Sequence, residues 1–177
     1  MLTPSSPSAA RSSFGASPIS FAAPLANVEV MVRSDLPRRA RWLGERATSR
    51  LRRMQEEYPL IGDVRGLGLF IGVELVEDRE TKRPATERAA ALIEPARRQG
   101  LIFGLDMPDI VNGQLDRHNV VKIKPPLTIT EEQLDRALDV FEATLTQVSQ
   151  FPPEMLEEIR KEMVRRVVPD RTSATEG

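Results

Sequence analysis

The chain has 177 residues, of which 40% are apolar and 29% are charged, with a formal net charge of −1, one histidine and no cysteine. This composition predicts one globular domain with a real core, and it argues against a nucleic-acid or membrane-surface binder, a thiolate enzyme and a histidine metal cluster. No apolar run reaches the roughly 18 residues of a membrane span. Without cysteine the chain fits the cytosol, so we predict a cytoplasmic protein, with a faint alternative of an organelle transit peptide in the Ser/Ala/Pro-rich N-terminus.

The N-terminal third of the chain predicts two helices. Residues 1–12 are rich in Pro, Ser and Ala, cannot bury enough surface to offset chain entropy, and are expected to be disordered. Ser17 and Pro18 have the residue types of an N-cap and a first helical position. The first helix is expected to run to about Met31 with a kink at Pro24.

The second helix is indicated by apolar residues at spacings of three and four, and Pro59 marks its end. Its apolar stripe consists of Leu36, Ala40, Leu43, Ala47, Leu51, Met54 and Tyr58. Arginines fill much of the remaining surface. We interpret them as a solvated face balanced by Glu45, Glu56 and Glu57, although an arginine-rich helix is also compatible with nucleic-acid binding.

The middle of the chain predicts one strand and one helix. Residues 67–76 alternate, with Leu69 and Leu75 on the same face, and the preceding glycines suggest tight turns. A charged loop at 78–84 leads to a helix capped by Thr86 and stopped by Gly100.

The last third predicts two short strands and two helices. The strands are residues 101–103 and 120–124, and the polar loop between them carries His118, which we expect to be exposed. Thr130 and Gln133 form the sequence pattern of a capping box.

The helix that follows the box has a buried stripe of Leu134, Leu138, Phe141, Leu145 and Val148. A further helix is expected at 154–168, and the segment from Pro169 is expected to fray.

This element order predicts a small α+β domain in which a mostly antiparallel, three-stranded sheet has helices packed on one face. The sequence contains no nucleophile–base pair and no metal-ligand spacing, so we assign no catalytic residue and no metal ligand. Arg65, in a glycine-rich segment, is expected to pair with a backbone carbonyl or a carboxylate.

Two motifs in this order resemble the C-terminal small domain of class III pyridoxal-phosphate (PLP) aminotransferases, which are fold-type I enzymes. They are residues 62–75, GDVRGLGLFIGVEL, and residues 120–130, VVKIKPPLTIT. Residues 13–18, SFGASP, resemble the family segment that follows the Schiff-base lysine, with Ala16 and Ser17 replacing the usual Gly and Asn. The resemblance assigns residues 13–148 to the aminotransferase region and leaves 149–177 as a C-terminal extension.

The resemblance implies two site residues. Ser13 stands where the family has a threonine that reaches the cofactor phosphate of the neighbouring subunit; the alternative is a serine in a disordered tail. Lys122 stands where the family often has an arginine that holds the substrate carboxylate, so it is expected to contact a carboxylate or phosphate. The alternatives are a strand lysine that points to solvent, or Lys124 in the same role.

The resemblance also implies that PLP is the cofactor and that the whole enzyme moves an amino group from an amine or amino acid to a 2-oxo acid. In the family a large domain supplies the Schiff-base lysine, and its motifs are not found here, so the chain alone is not expected to be catalytic. The implied partners are that large PLP-binding domain or a homologous subunit, a homo-oligomer being one arrangement. The alternative function is a non-catalytic remnant or protein-interaction module.

Overall fold

The structure is a computed structural model that describes residues 18–105, 109–111, 114–116 and 118–167. The chain divides into two compact units, one that ends at Arg38 and one that begins at Arg39. The elements are α1 (Pro18–Arg33), α2 (Leu36–Glu57), β1 (Ile61–Leu67), β2 (Phe70–Asp78), β3 (Arg83–Pro84), α3 (Thr86–Arg98), β4 (Gly104–Leu105), β5 (Asp109–Val111), β6 (Gln114–Asp116), β7 (Val120–Ile123), α4 (Glu131–Ser149) and α5 (Pro153–Val167). None of the described helices has the length and apolar character needed to cross a membrane.

The first unit contains α1, which confirms the predicted first helix and holds Pro24 in its interior. Near its end Arg33 lies 3.7 Å from Glu29 across one helical turn. Asp35 adopts a positive φ of 46° directly before α2, and its carboxylate accepts a hydrogen bond from Arg38. The predicted N-cap Ser17 and the segment 1–12 lie outside the described residues.

The second unit is built on an antiparallel sheet in the order β1-β2-β7-β4, with β3 paired to the far end of β2; β5 and β6 form a separate hairpin. The α+β class and the antiparallel sheet are therefore confirmed, but the sheet has five strands and not three. The two additional strands are β1, formed by residues 61–67 that we predicted as a glycine-rich turn, and β3, formed by residues 83–84 of the predicted charged loop. Gly66 lies within the strand pair, where a Cβ would come only 2.9 Å from Ile71 Cα, so a larger residue does not fit. The turn between the two strands contains Gly68, which has φ +55°.

One face of strand β2 packs into the core, and its other face belongs to the opposite side of the sheet, which we call the open face. Ile71, Val73 and Leu75 are fully buried on one face, as predicted, and join buried residues of the helices in one core cluster. Val76 was expected on the opposite face but is also buried. Gly62 makes the space for it, since a Cβ at Gly62 would lie 2.7 Å from Val76 Cγ1.

Helix α2 confirms the predicted stripe: Leu43, Ala47, Leu51 and Met54 are buried. The helix meets the β1–β2 turn at a glycine-to-glycine contact. A Cβ on Gly44 would lie 2.6 Å from Gly68 Cα and would overlap the Gly68 carbonyl. Only glycine at position 44 lets the helix and the turn approach this closely.

The arginines of α2 do more than form a solvated face. Arg46 forms an ion pair of 2.7 Å with Asp135, and Arg50 pairs with Asp139 at 2.6 Å and with Glu142 at 2.9 Å, all on α4. The expected balance with Glu45, Glu56 and Glu57 was wrong for these two arginines, because α2 and α4 run side by side in the same direction and the acids of α4 lie nearer. The hydrogen bond from Arg46 lowers the pKa of the half-buried Asp135.

Helix α3 begins one residue earlier than predicted. Ala85 is the N-cap and donates its N–H to Leu75 O, whereas Thr86 is the first helical residue, with a buried hydroxyl that has no partner among the described residues. Thr86 is therefore not the capping residue. Gly100, with φ +81°, ends the helix as predicted.

Residues 101–103 form no regular strand, contrary to prediction. Phe103 instead turns into the core and makes an edge-on contact with Phe141, with ring centroids 5.4 Å apart. The pairing with β7 is made by the next two residues, Gly104 opposite Lys122 and Leu105 opposite Val121.

Helix α4 confirms the capping box: Gln133 N–H donates to Thr130 Oγ1 at 3.1 Å, and Thr130 N–H donates to Gln133 Oε1 at 3.0 Å. All five predicted stripe residues of this helix are buried. At its other end, the half-buried Arg88 of α3 donates to Val148 O at 2.5 Å and pairs with Glu77. This one side chain ties α3 and the end of β2 to the C-terminus of α4.

Helix α5 confirms the helix expected after the family-like region. It contacts α3 through a half-buried row of Leu156, Ile159 and Met163. Met155, one residue before this row, is 45% exposed because it lies on the neighbouring helix face.

We expect Thr130→Ala to lower the free energy of unfolding by roughly 0.5–2 kcal/mol through loss of the N-cap hydrogen bond. Thr128→Ala, an exposed threonine outside the helix, is the matched control and should change the denaturation midpoint little. Equal midpoints for both variants would show that the box does not hold the start of α4.

We expect Gly44→Ala to destabilise the protein even though alanine is favoured over glycine in a helix by about 1 kcal/mol. The overlap with Gly68 forces α2 and the turn apart, at a cost of about 1–3 kcal/mol or more. Ser49→Ala, at an exposed position of the same helix, serves as the control in urea denaturation. A Gly44→Ala protein that is as stable as the parent would contradict the observed helix–turn contact.

Candidate functional site

The open face of the sheet presents one cross-strand row that contains two cations and two glycines. Arg65 is in register with Gly72, Gly72 with Lys122, and Lys122 with Gly104. Directly opposed residues point to the same face of a sheet. The row therefore runs Arg65, Gly72, Lys122, Gly104 across four strands, on the face opposite the core.

Lys122, the predicted substrate contact, is half-buried between the two glycines of this row. A Cβ on Gly104 would lie 3.3 Å from Lys122 Cβ, and one on Gly72 would lie 3.1 Å from Val120 Cγ1. Both neighbouring strands therefore pack close to β7 at the level of Lys122, and a larger residue at either glycine would crowd it. Val121 and Ile123, on either side of Lys122 in the chain, are buried on the core face.

Lys124 lies on the same face, just beyond the end of β7, and is exposed. Its ammonium group sits 5.6 Å from the ring centre of Phe70, within the range of a cation–π interaction. A Cβ on Gly104 would be 3.9 Å from Lys124 Cε, so the stem of this side chain also passes close to the glycine. The structure therefore brings both candidate lysines to one end of the sheet.

Arg65 is engaged by carboxylates on its own face, as predicted. Its Nη1 donates to Asp63 at 2.7 Å and to Glu74 at 3.3 Å. The hydrogen bond to Asp63 is the largest cause that raises the pKa of Arg65 above its ordinary value. The chemistry of this residue is that of a sheet ion pair, and the described contacts give it no second role.

A groove of about 370 Å³ opens beside the two lysines. Its walls are residues 101–104, residues 122–126, and Ile129, Gln133, Leu134 and Ala137 at the start of α4. Most of the lining is apolar, Pro125 and Pro126 stiffen one wall, and no carboxylate occurs among the described residues that line it. Apart from the Pro-Pro pair, this groove could not be predicted from the sequence, because its walls come from separate segments of the chain.

The remaining predicted positions contribute less. Ser13 lies outside the described residues. His118, expected to be exposed, is half-buried, because it directly precedes Asn119, whose buried side chain donates to Leu75 O at 2.6 Å. Within the described part of the chain, no group of three or more His, Asp or Glu side chains is placed to hold a metal ion.

The profile of the family Aminotransferase class-III matches residues 2–145. A leucine/methionine racemase of Thermococcus litoralis is 44% identical over 133 residues, which are 75% of this chain and 28% of that protein. A taurine–pyruvate aminotransferase of Bilophila wadsworthia is 34% identical over 140 residues, or 78% of this chain and 30% of that protein.

A solved structure of a phospholyase from Arthrobacter in complex with phosphoethanolamine superposes with a TM-score of 0.63 at 31% identity. The superposition covers 76% of this chain and 29% of that one. The chain thus spans between a quarter and a third of the length of the relatives that it matches.

Proposed function

The chain belongs to the class III aminotransferase family of PLP-dependent enzymes, and from that premise we propose that it forms the C-terminal part of a transaminase. In this proposal the complete enzyme moves an amino group from an amine or amino acid to a 2-oxo acid. The observation that carries it is the place of Lys122 between Gly72 and Gly104 on the open face of the sheet. The resemblance implies that this lysine matches the family residue that holds the substrate carboxylate.

The described residues fit the anionic end of such a substrate. The residues opposite Lys122 on both neighbouring strands are glycines, so no side chain from these two positions stands between Lys122 and an approaching carboxylate or phosphate. An ammonium group on a flexible stem binds such an anion as a point charge, without the two parallel hydrogen bonds of arginine. Lys122 would thereby orient the substrate by its acidic end.

The proposed contact with the cofactor is Ser13. Its hydroxyl can donate a hydrogen bond to the phosphate of PLP, as the family's threonine does from the neighbouring subunit. When bound, PLP supplies an electron sink that stabilises negative charge on the amino-bearing carbon of the substrate. The part played by this chain is to bind and orient, and the proton-transferring lysine would come from the large PLP-binding domain.

The partner of this chain is proposed from its exposed apolar side chains. Leu67 is 86% exposed and Phe70 is 62% exposed, both at the β1–β2 turn. Apolar groups clustered at one turn are typical of a surface that a partner covers. We assign this turn to contact with the large domain or a homologous subunit, in the cytoplasm; an interaction module without catalysis is the alternative that the same surface would serve.

The 177-residue polypeptide should not attach PLP covalently, because the proposed Schiff-base lysine belongs to the large domain. The chain has four lysines, at positions 82, 122, 124 and 161, and each can be replaced by arginine. We expect no stoichiometric absorbance band above roughly 400 nm after incubation with PLP and dialysis. A band that survives dialysis and disappears in one of the four variants would contradict this assignment.

Transaminase function is tested in a chimaera in which residues 13–148 replace the matching segment of the taurine–pyruvate aminotransferase of Bilophila wadsworthia. We expect Lys122→Ala to lower kcat/KM for an acidic amino donor by about 10- to 150-fold, the value of a charged hydrogen bond of about 1.5–3 kcal/mol. The cofactor spectrum should not change. Lys122→Arg should keep part of the activity because the charge remains.

Lys124→Ala is the matched control, two residues along on the same face. If it abolishes activity while Lys122→Ala stays within about twofold of the parent, the substrate anion binds at Lys124. If the chimaera interconverts amino-acid enantiomers without consuming a 2-oxo acid, amino-group transfer is the wrong reaction for this chain.

A further inference from the structure

A protruding aliphatic side chain and an apolar groove lie side by side at one edge of the sheet. Ile102 is 84% exposed and stands two residues before β4, and among the described strands only β7 pairs with β4. The groove of about 370 Å³ opens next to it, between the end of β7 and α4. Ile102 belongs to the rim of this groove and leaves its interior open.

The interior of the groove favours an aliphatic occupant. Ile129 and Leu134 are buried side chains in its wall, and most of the lining is apolar. Lys122 and Lys124 border the groove from the open face of the sheet, and the ammonium group of Lys124 lies over the ring of Phe70. A branched aliphatic side chain matches such an interior, because burial of apolar surface needs no partner charge.

We propose that the groove receives Ile102 of a second copy of this chain, while the groove of the second copy receives Ile102 of the first. A two-fold interface needs a single patch that carries both halves of a contact, and a protruding side chain beside its own matching groove meets this condition.

The charges around the groove suit the same arrangement. Glu131 and Glu132 are exposed and directly precede Gln133 of the groove lining, whereas Lys124 is exposed at the other wall. A two-fold axis can place the acids of one copy against the lysine of the other, which favours this orientation over others. The proposal does not depend on transamination, since it concerns only described residues of this chain.

The first test is sedimentation velocity of the 177-residue polypeptide over a wide range of concentrations. One side chain and one groove per copy make a small interface, so we expect a reversible monomer–dimer equilibrium and not a permanent dimer. Ile102→Ser should weaken dimerisation by about 30-fold or more, the loss that is typical of a central interface residue. Val164→Ser, at an exposed aliphatic position of α5, is the matched control and should dimerise like the parent.

A mixing experiment tests whether the contact is reciprocal. Ala137→Leu fills the groove from α4 and should prevent dimerisation, although Ile102 is still present. Ile102→Ser leaves the groove open but removes the side chain that enters it. A mixture of the two variants can form one of the two contacts, so we expect a heterodimer that neither variant forms with itself.

A cross-link provides a test that does not rely on the packing at Ala137. The chain has no cysteine, so single thiols can be introduced cleanly. Ile102→Cys and Gln133→Cys place one thiol at the rim and one in the groove lining, both at exposed positions. Mixed under mild oxidation, the two proteins should form a 102–133 disulfide, whereas Ile102→Cys mixed with Val164→Cys should not.

Monomers at every concentration, with no 102–133 cross-link, would overturn the proposal. A dimer that Ile102→Ser leaves intact would overturn it as well, because the contact would then lie elsewhere on the chain. The chimaera separates one further occupant: an Ile102→Cys thiol that reacts freely in the 177-residue polypeptide but is shielded in the chimaera would assign the groove to the large domain instead.

Discussion

The hydrogen-bond ladder of β2 connects three other strands, because β1, β7 and β3 all pair with it. Side chains alternate between the two faces of a strand, so a shift of one residue would move the whole apolar set from one face to the other. The buried row of Ile71, Val73 and Leu75 therefore fixes Gly72 and Glu74 on the open face. The position of Lys122 opposite Gly72 follows from the same register.

The helices are fixed on the other side of the sheet by two kinds of contact. Apolar burial along α2 and α4 supplies the bulk of the attraction, and it is not directional. Two specific contacts set the position of α2. Gly44 contacts the β1–β2 turn at one point along the helix, and Arg50 forms ion pairs with two acids of α4. Ion pairs near the protein surface contribute little to stability, so the role of Arg50 is mainly to set the alignment of α2 with α4.

Local patterns were enough to predict the parts of the fold that depend on near neighbours in the chain. The capping box at Thr130 and the stripe of α2 needed only spacings of three and four residues, and both were found. Residues 61–67 were assigned to a turn because glycine is common in turns. In the structure Gly62 and Gly66 make room for Val76 and Ile71, and this packing depends on a strand that the sequence alone does not place.

The candidate site shows the same division. Lys122 could be found from its place before Pro125, since the motif is local. The glycine on each neighbouring strand, and the groove between β4 and α4, depend on pairings across 18 to 50 residues and could not be predicted without the register.

The described charged residues are distributed unevenly along the open face of the sheet. At one side Arg65 is hydrogen-bonded to Asp63 and Glu74, so its positive charge is largely compensated where it stands. At the other side Lys122 and Lys124 border a groove without a carboxylate among its described lining residues. The two lysines of this face therefore lie on β7 and just beyond its end, next to β4, where the Pro-Pro segment leads into α4.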